Sequence, residues 1–170
     1  MKGIFLKLRG GQLSPLPVPP LFHVALTWLG GFVAIAAVAL MADVNRMPLV
    51  LGSFGASCVL IFGYPESPFS QPRNVIGGHF LASLTGLAFF ALFGFYWWSM
   101  ALALASAIAV MQLTKTVHPP AGSNPLIIML SGASWPFLLT PTLYGSVILL
   151  AVALIFHGLV KGRVYPKYWV

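Results

Sequence analysis

The sequence predicts an all-α integral membrane protein, and three observations lead to this prediction. Of its 170 residues, 59% are hydrophobic and only 6% are charged, whereas a typical soluble domain has about 25% charged residues. The mean hydropathy is +0.93. The apolar residues form six segments separated by polar or Gly/Pro-containing breaks. We therefore expect one transmembrane domain over residues 21–157, embedded in a lipid bilayer.

Four of the six segments are long and are predicted to be membrane helices. They occupy residues 21–42, 77–93, 95–113 and 137–157. Gly94 marks a tight turn between the second and third of them, and Asn74 is a candidate N-cap for the second. On either side of this domain we expect a basic, Pro-rich cytoplasmic lead over residues 1–20 and a basic cytoplasmic tail over residues 158–170.

The other two segments are short and are predicted to be broken helices. They cover residues 49–63 and 121–132. The first provides about 22 Å of helix, which is less than the ~30 Å hydrocarbon core. Extended residues before each short helix, at about 46–51 and 115–121, make up the difference. Both short helices then begin near the middle of the bilayer.

The second break has the more specific pattern. Pro119 and Pro120 remove two N–H donors and disfavour helix in the residues before them. A helix is expected to restart near residues 122–124, with Ser123 or Asn124 as its N-cap and Pro125 at its first position.

A weak internal repeat indicates that the two halves of the domain are related. The spacing from Pro68-Phe69 to Gly77 equals that from Pro136-Phe137 to Gly145. Each half, residues 21–93 or 95–157, runs long helix, polar break, short helix, loop, long helix. Chance similarity within an apolar sequence is the alternative explanation.

The positive charges favour six crossings over four. Six crossings leave one Lys or Arg outside, Arg46, whereas four crossings also leave Arg73 and Lys115 outside. The positive-inside rule therefore predicts six crossings with both termini in the cytoplasm. Three crossings per half invert the halves relative to each other. Inverted repeats with interrupted short helices are typical of transporters with a binding site at mid-membrane.

The N-termini of the two short helices form the predicted substrate site, because a helix N-terminus presents free N–H groups and a positive dipole end to an anion. The residues predicted to bind substrate or line the pore are Gly52, Ser53, Gly55, Ser57, His118, Gly122, Ser123 and Asn124. The residues predicted to support the site, shape its electrostatic field or carry a proton are Arg73, Asn74, His79 and Lys115.

Simpler interpretations of these residues stay open. Small residues over 52–57 are typical of close helix packing, and Lys115 fits a lysine that reaches the membrane interface. His79 and His118 fit buried histidines that bond to nearby backbone. They fit proton carriers equally well, because histidine titrates near neutral pH.

No pattern in the sequence predicts an enzyme, a metal site, a cofactor or a nucleic-acid partner. The acids are Asp43 and Glu66, and the cysteine is Cys58. With so few acids, a cation pathway lined by carboxylates is not expected. The excess of nine Lys and Arg residues over two acids fits membrane orientation alone, or an anionic substrate as well. A membrane scaffold or binding subunit is the second hypothesis, and a membrane enzyme that uses His118 is the third.

Three motifs resemble the HPP family of integral membrane proteins. They lie at residues 52–57, 68–79 and 114–126, and the last contains the His-Pro-Pro sequence that gives the family its name. The resemblance covers roughly residues 20–157. It implies transport of a small anion, with nitrite as the leading substrate, since plant and cyanobacterial members are associated with nitrite transport.

The resemblance also bears on location and assembly. In plants the family is associated with the chloroplast envelope, and some bacterial members carry a C-terminal CBS pair. This sequence contains neither a plastid transit peptide nor that pair, so we expect a multi-pass protein of a bacterial inner membrane. Because a body of four long helices is small, we also expect a homo-oligomer.

Overall fold

The computed structural model describes residues 17–169, and every regular element among them is helical. Most of the predicted basic lead lies outside the described residues. In chain order the helices are α1 (Leu21–Asn45), α2 (Gly52–Cys58), α3 (Pro72–Phe93), α4 (Trp97–Leu113), α5 (Asn124–Ser131) and α6 (Tyr144–Leu159). The predicted all-α fold is confirmed.

Three helical stretches are long and apolar enough to cross a membrane. They are Leu21–Asn45, Pro72–Phe93 and Trp135–Leu159, of which the last is α6 together with the turns before it. Gly52–Gly63 and Trp97–Leu113 are shorter apolar helices. The chain is therefore an integral membrane protein, as its composition predicts.

Both short helices are extended by turns of a different pitch. A π-helical turn, Val59–Gly63, continues α2, and a 3₁₀ turn, Pro119–Ser123, precedes α5. Extended backbone leads into each of them: Leu51 has φ −114° and ψ 142°, and His118 has φ −133° and ψ 98°. In the second half the expectation of extended backbone over residues 115–121 is therefore only partly met. His118 is extended, as the following prolines require, but Pro119 and Pro120 already belong to the 3₁₀ turn and Lys115 is left-handed.

The predicted capping residues have other roles. Asn124 is the first residue of α5, and its side chain contacts the other half of the molecule. Ser123 takes the N-cap position of α5, as one of the two predicted alternatives, but its side chain makes no cap bond. Asn74 lies inside the first turn of α3, because Pro72 takes the first helical position and Gln71 the cap position. The local pattern favoured capping, but long-range partners compete for the same amide groups.

The two halves of the chain interlock. In the middle of the molecule α3 packs on α4, and α6 packs on α1, so the last helix of each half contacts the first helix of the other. A Cβ placed on Gly78 of α3 would lie 2.6 Å from the Cβ of His118, and Gly145 of α6 is equally tight against the ring of Phe54. Glycine near the start of each last helix therefore lets the other half's broken segment approach its backbone.

An apolar core joins α1, α2 and α6. Its fully buried members include Ala34, Val38, Phe54, Leu149 and Ala153. Small residues on α1 and α6 bring their backbones close together, which is how helices associate in lipid where the hydrophobic effect provides little drive.

The tail after α6 binds the loop between α2 and α3. Tyr165 Oη donates to the Ser70 carbonyl at 2.8 Å, and the Lys167 backbone N–H donates to Gln71 Oε1 at 2.7 Å. Lys167 Nζ also lies 3.0 Å from Glu66 Oε1. Burial raises the pKa of Tyr165 above its ordinary value, so the hydroxyl keeps its hydrogen. The tail and this loop thus lie at the same end of the helix bundle.

Candidate functional site

A network of buried polar side chains lies where the two broken segments meet. Here α2 contacts the turn Pro119–Ser123. Ser57 of α2, His79 of α3, His118 and Asn124 are all fully buried. These four side chains come from three distant parts of the sequence, and all four are among the residues predicted for the site. We call them the central network.

His118 is held from both sides of its ring. Its Nδ1 lies 2.7 Å from the Phe69 carbonyl oxygen, and its Nε2 lies 2.8 Å from Ser57 Oγ. Because a carbonyl oxygen only accepts hydrogen bonds, Nδ1 must carry a hydrogen. In a neutral imidazole Nε2 then has a lone pair and accepts the Ser57 hydroxyl hydrogen.

The protonation of His79 follows from the same reasoning. His79 Nε2 lies 2.9 Å from Ser57 Oγ, and its Nδ1 lies 3.1 Å from Asn124 Nδ2. An amide nitrogen only donates, so His79 Nδ1 accepts and Nε2 carries the hydrogen. His79 therefore donates to Ser57 Oγ, and the hydrogen bonds run in one direction from Asn124 to the Phe69 carbonyl.

Asn124 connects the two histidines to a second pair of hydroxyls. Its Nδ2 donates to Ser83 Oγ at 2.9 Å, and Ser83 Oγ lies 3.0 Å from Thr142 Oγ1. Asn124 Oδ1 is buried and accepts no hydrogen bond from any described residue. The sequence prediction missed Ser83 and Thr142. Ser83 lies one turn after His79 on the same helix face, which is a usable signal, whereas nothing in the sequence marks Thr142.

Five of the predicted substrate residues lie outside the central network. Gly52, Gly55 and Gly122 have no atom within 4 Å of where a Cβ would stand. The Ser123 hydroxyl donates to the Pro120 carbonyl of its own turn. Ser53 contacts the network: its carbonyl lies 3.0 Å from Ser57 Oγ, and its own buried hydroxyl has no partner among the described residues.

Arg73 and Asn74 hold the non-helical stretch that leads to His118. Arg73 Nη2 donates to the Thr114 carbonyl and Asn74 Nδ2 donates to the Val117 carbonyl, each at 2.8 Å. These bonds satisfy carbonyl groups in the non-helical stretch. Lys115 lies exposed in the same stretch, in a left-handed backbone conformation with φ 57°.

No group of three His, Cys, Asp or Glu side chains within residues 17–169 is arranged to hold a metal ion. Apart from Asn124 Oδ1, the side-chain polar atoms of the central network bond to one another or to neighbouring groups. Because its four side chains are fully buried, the network is closed from both ends of the bundle in this conformation.

Sequence comparisons match nearly the whole chain. A family model described as "HPP, transmembrane region" matches residues 16–166. Two proteins of Dictyostelium discoideum, each named as a transmembrane protein, are similar. The first is 37% identical over 174 residues, covering 95% of this chain and 61% of the relative. The second is 36% identical over 177 residues, covering 97% and 57%. The chain thus spans only about three fifths of each curated relative. No solved structure matches it.

Proposed function

The chain belongs to the HPP family of integral membrane proteins, and we propose on that basis that it transports a small inorganic anion, with nitrite as the substrate. The central network is the observation that supports this most directly. Polar and ionisable side chains are expensive inside a bilayer and mark substrate or ion pathways there. Here four of them meet between two broken helices of a chain that is 59% hydrophobic.

The distribution of charge supports an anion over a cation. Neither acid of the chain contributes to the central network, since Glu66 pairs with Lys167 in a loop and Asp43 lies in the last turn of α1. Nitrite accepts hydrogen bonds and cannot donate them, so its site needs donors. The Ser53 hydroxyl, buried without a described partner next to Ser57, is such a donor.

Six crossings with inverted halves fit the packing. Six crossings bring the tail and the loop between α2 and α3 to the same side of the membrane, where Tyr165 and Lys167 contact that loop. Four crossings would separate them by the bilayer. The reciprocal packing of α3 on α4 and α6 on α1 supports a pair of equivalent repeats, and three crossings in each half would invert one repeat relative to the other.

Cysteine labelling tests this topology. In a Cys58→Ala chain, a cysteine at exposed Glu66 is expected to react only from the cytoplasmic side. A cysteine at exposed Ser134, in the turn between α5 and α6, is expected to react only from outside. The cysteine-free chain is the control for background labelling. Reaction of Glu66→Cys with an impermeant reagent from outside would mean that α2 re-enters the membrane, leaving four crossings.

The closed network implies movement during transport. Ser57, His79, His118 and Asn124 leave no exposed polar surface at the centre. An anion therefore passes only when the halves shift relative to each other, so we propose a carrier with alternating access. The exposed glycines of α2, Gly52 and Gly55, also support a homo-oligomer, since small residues allow close helix contact. We propose a cell inner membrane as its location.

Nitrite uptake into proteoliposomes tests the proposed function. At neutral or alkaline pH nitrite is almost wholly ionised, so little crosses lipid unaided, and protein-free liposomes measure that leak. We expect the purified chain to accelerate uptake well above the leak and excess unlabelled nitrite to compete. If no small anion enters faster than in protein-free liposomes, the transport proposal is wrong.

A further inference from the structure

We propose that His118, with the Ser57 hydroxyl as its hydrogen-bond partner, binds one proton in each transport cycle, so that the anion crosses the membrane together with a proton. This inference rests on the proposed function and adds that a proton accompanies the anion. The observation behind it is the geometry around the Ser57 hydroxyl. The same heavy-atom positions allow a complete set of hydrogen bonds around Ser57 in two different protonation states of the central network.

In the neutral state every hydrogen bond around Ser57 has one assignment. His118 Nδ1–H donates to the Phe69 carbonyl, so Nε2 accepts the Ser57 hydroxyl hydrogen across 2.8 Å. His79 Nε2–H donates to Ser57 Oγ across 2.9 Å. The Ser53 carbonyl, 3.0 Å from Ser57 Oγ, then receives no hydrogen from that hydroxyl.

Adding one proton to His118 Nε2 produces a second satisfied state. The Ser57 hydroxyl turns its hydrogen from His118 to the Ser53 carbonyl, for which the 3.0 Å distance is already suitable. His118 Nε2–H now donates to Ser57 Oγ, whose two lone pairs accept from His118 and His79 together. The hydrogen bond between Ser57 and His118 reverses its direction, the bond from His79 is kept, and one to the Ser53 carbonyl is added. The network gains one covalent N–H bond and one positive charge. Release of the proton reverses these changes.

The other titratable groups around His118 provide no carboxylate partner. The elements packed against it carry His79 and Arg73 on α3, Cys58 on α2, and Tyr64 and Glu66 in the loop that contains Phe69; Lys115 lies in its own stretch. Arg73 bonds to the Thr114 carbonyl and Glu66 pairs with Lys167.

A charged His118 therefore lacks a fixed counterion among the described residues. A buried charge without a partner is costly, and a bound anion would supply the missing negative charge. The proton and the anion then stabilise each other in the site. The cargo as a whole is neutral, which reduces the cost of carrying either ion across hydrocarbon.

Uptake driven by separate gradients tests the coupling. Purified protein in liposomes is given either an acid-outside pH gradient or a potassium–valinomycin potential, with an internal pH dye. We expect nitrite to accumulate with the pH gradient, to acidify the lumen by about one proton per anion, and to ignore the potential. Protein-free liposomes correct for nitrous acid that crosses the lipid. Uptake that follows the potential without lumenal acidification would overturn the coupling and leave transport standing.

Ser57→Ala tests the hydroxyl, and Ser99→Ala is its matched control. Ser99 is also fully buried, but its hydroxyl has no partner among residues 17–169. Ser57→Ala is expected to lower pH-driven uptake at least ten-fold and to shift its pH profile, because His118 Nε2–H loses its acceptor. Ser99→Ala is expected to keep the uptake rate and the pH profile of the unsubstituted chain. An unshifted profile in Ser57→Ala, with thermal stability equal to that of Ser99→Ala, would overturn the role of Ser57.

Nitrogen-15 NMR of histidine-labelled protein in nanodiscs tests the proton site without any transport. Histidine-to-glutamine variants assign the signals. We expect His118 to carry its hydrogen on Nδ1 and His79 on Nε2 at high pH, and His118 alone of the two to gain a proton on acidification. A His118 with its hydrogen on Nε2, or one that stays neutral until the protein unfolds, would overturn the inference. Absence of nitrite uptake with the expected NMR result would count against the proposed function alone.

Discussion

Replacing Asn124 with leucine is expected to abolish nitrite uptake while the protein still accumulates in the membrane. Leucine has a similar size but donates no hydrogen bond, so His79 Nδ1 and Ser83 Oγ lose the amide hydrogens that they accept now. A buried group left unsatisfied costs about 1–3 kcal/mol, and each ~1.4 kcal/mol corresponds to about ten-fold in rate. We therefore expect uptake to fall at least ten-fold in proteoliposomes reconstituted at equal protein content.

Asn45→Leu is the matched control for this substitution. Asn45 lies exposed at the end of α1, where its amide donates to the Met41 carbonyl of the same helix. Uptake by this variant should equal that of the unsubstituted chain. Full activity in Asn124→Leu would show that the central network is not part of the transport path.

Replacing Gly78 with alanine is expected to damage both the fold and the site. The added methyl carbon would lie 2.6 Å from the His118 Cβ and 2.9 Å from the Thr116 carbonyl oxygen. Both neighbours belong to the non-helical stretch, which cannot rotate away as a flexible side-chain end would. Overpacking of this kind costs about 1–3 kcal/mol. We expect a lower melting temperature in detergent and displaced His118 signals in the NMR spectrum.

Gly31→Ala separates this steric effect from the general effect of adding a methyl group to a membrane helix. Gly31 lies within α1, and a Cβ there would meet its nearest neighbour, the Cβ of Cys58, at an ordinary 3.9 Å. This variant should melt and transport like the unsubstituted chain. If Gly78→Ala behaves the same way, then the close approach of α3 to His118 is not needed for stability.

The fold class was predictable because composition and the lengths of apolar segments can be counted in the sequence without knowing which residues meet in space. The prolines before α5 likewise predict the extended backbone at His118, since they remove donors and restrict the preceding residue. The site was predictable only in part. Ser57, His79, His118 and Asn124 are polar residues in apolar surroundings, and that contrast alone identified them as candidates.

The remaining contacts depend on how distant segments meet. The Phe69 carbonyl binds His118 across 49 positions of sequence, and Ser83 reaches Thr142 across 59. The glycines show the same limit, because a glycine in the sequence does not reveal which atom approaches it. The stretch that contains Thr116 and His118 lies against Gly78, whereas no such neighbour lies near Gly122. Whether the open glycines contact substrate stays a prediction.

The interlocked halves have a consequence for how the protein is made. Residues emerge from the ribosome in order, so α2 and α3 emerge before His118 and Gly145, the groups that pack against them. Until then Ser57 and His79 have no histidine or asparagine partner from the second half and sit in hydrocarbon with part of their hydrogen-bonding capacity unmet. The polar centre is therefore the last part to assemble, and a chain interrupted after α4 leaves two incompletely hydrogen-bonded polar residues for the quality-control machinery of the membrane to recognise.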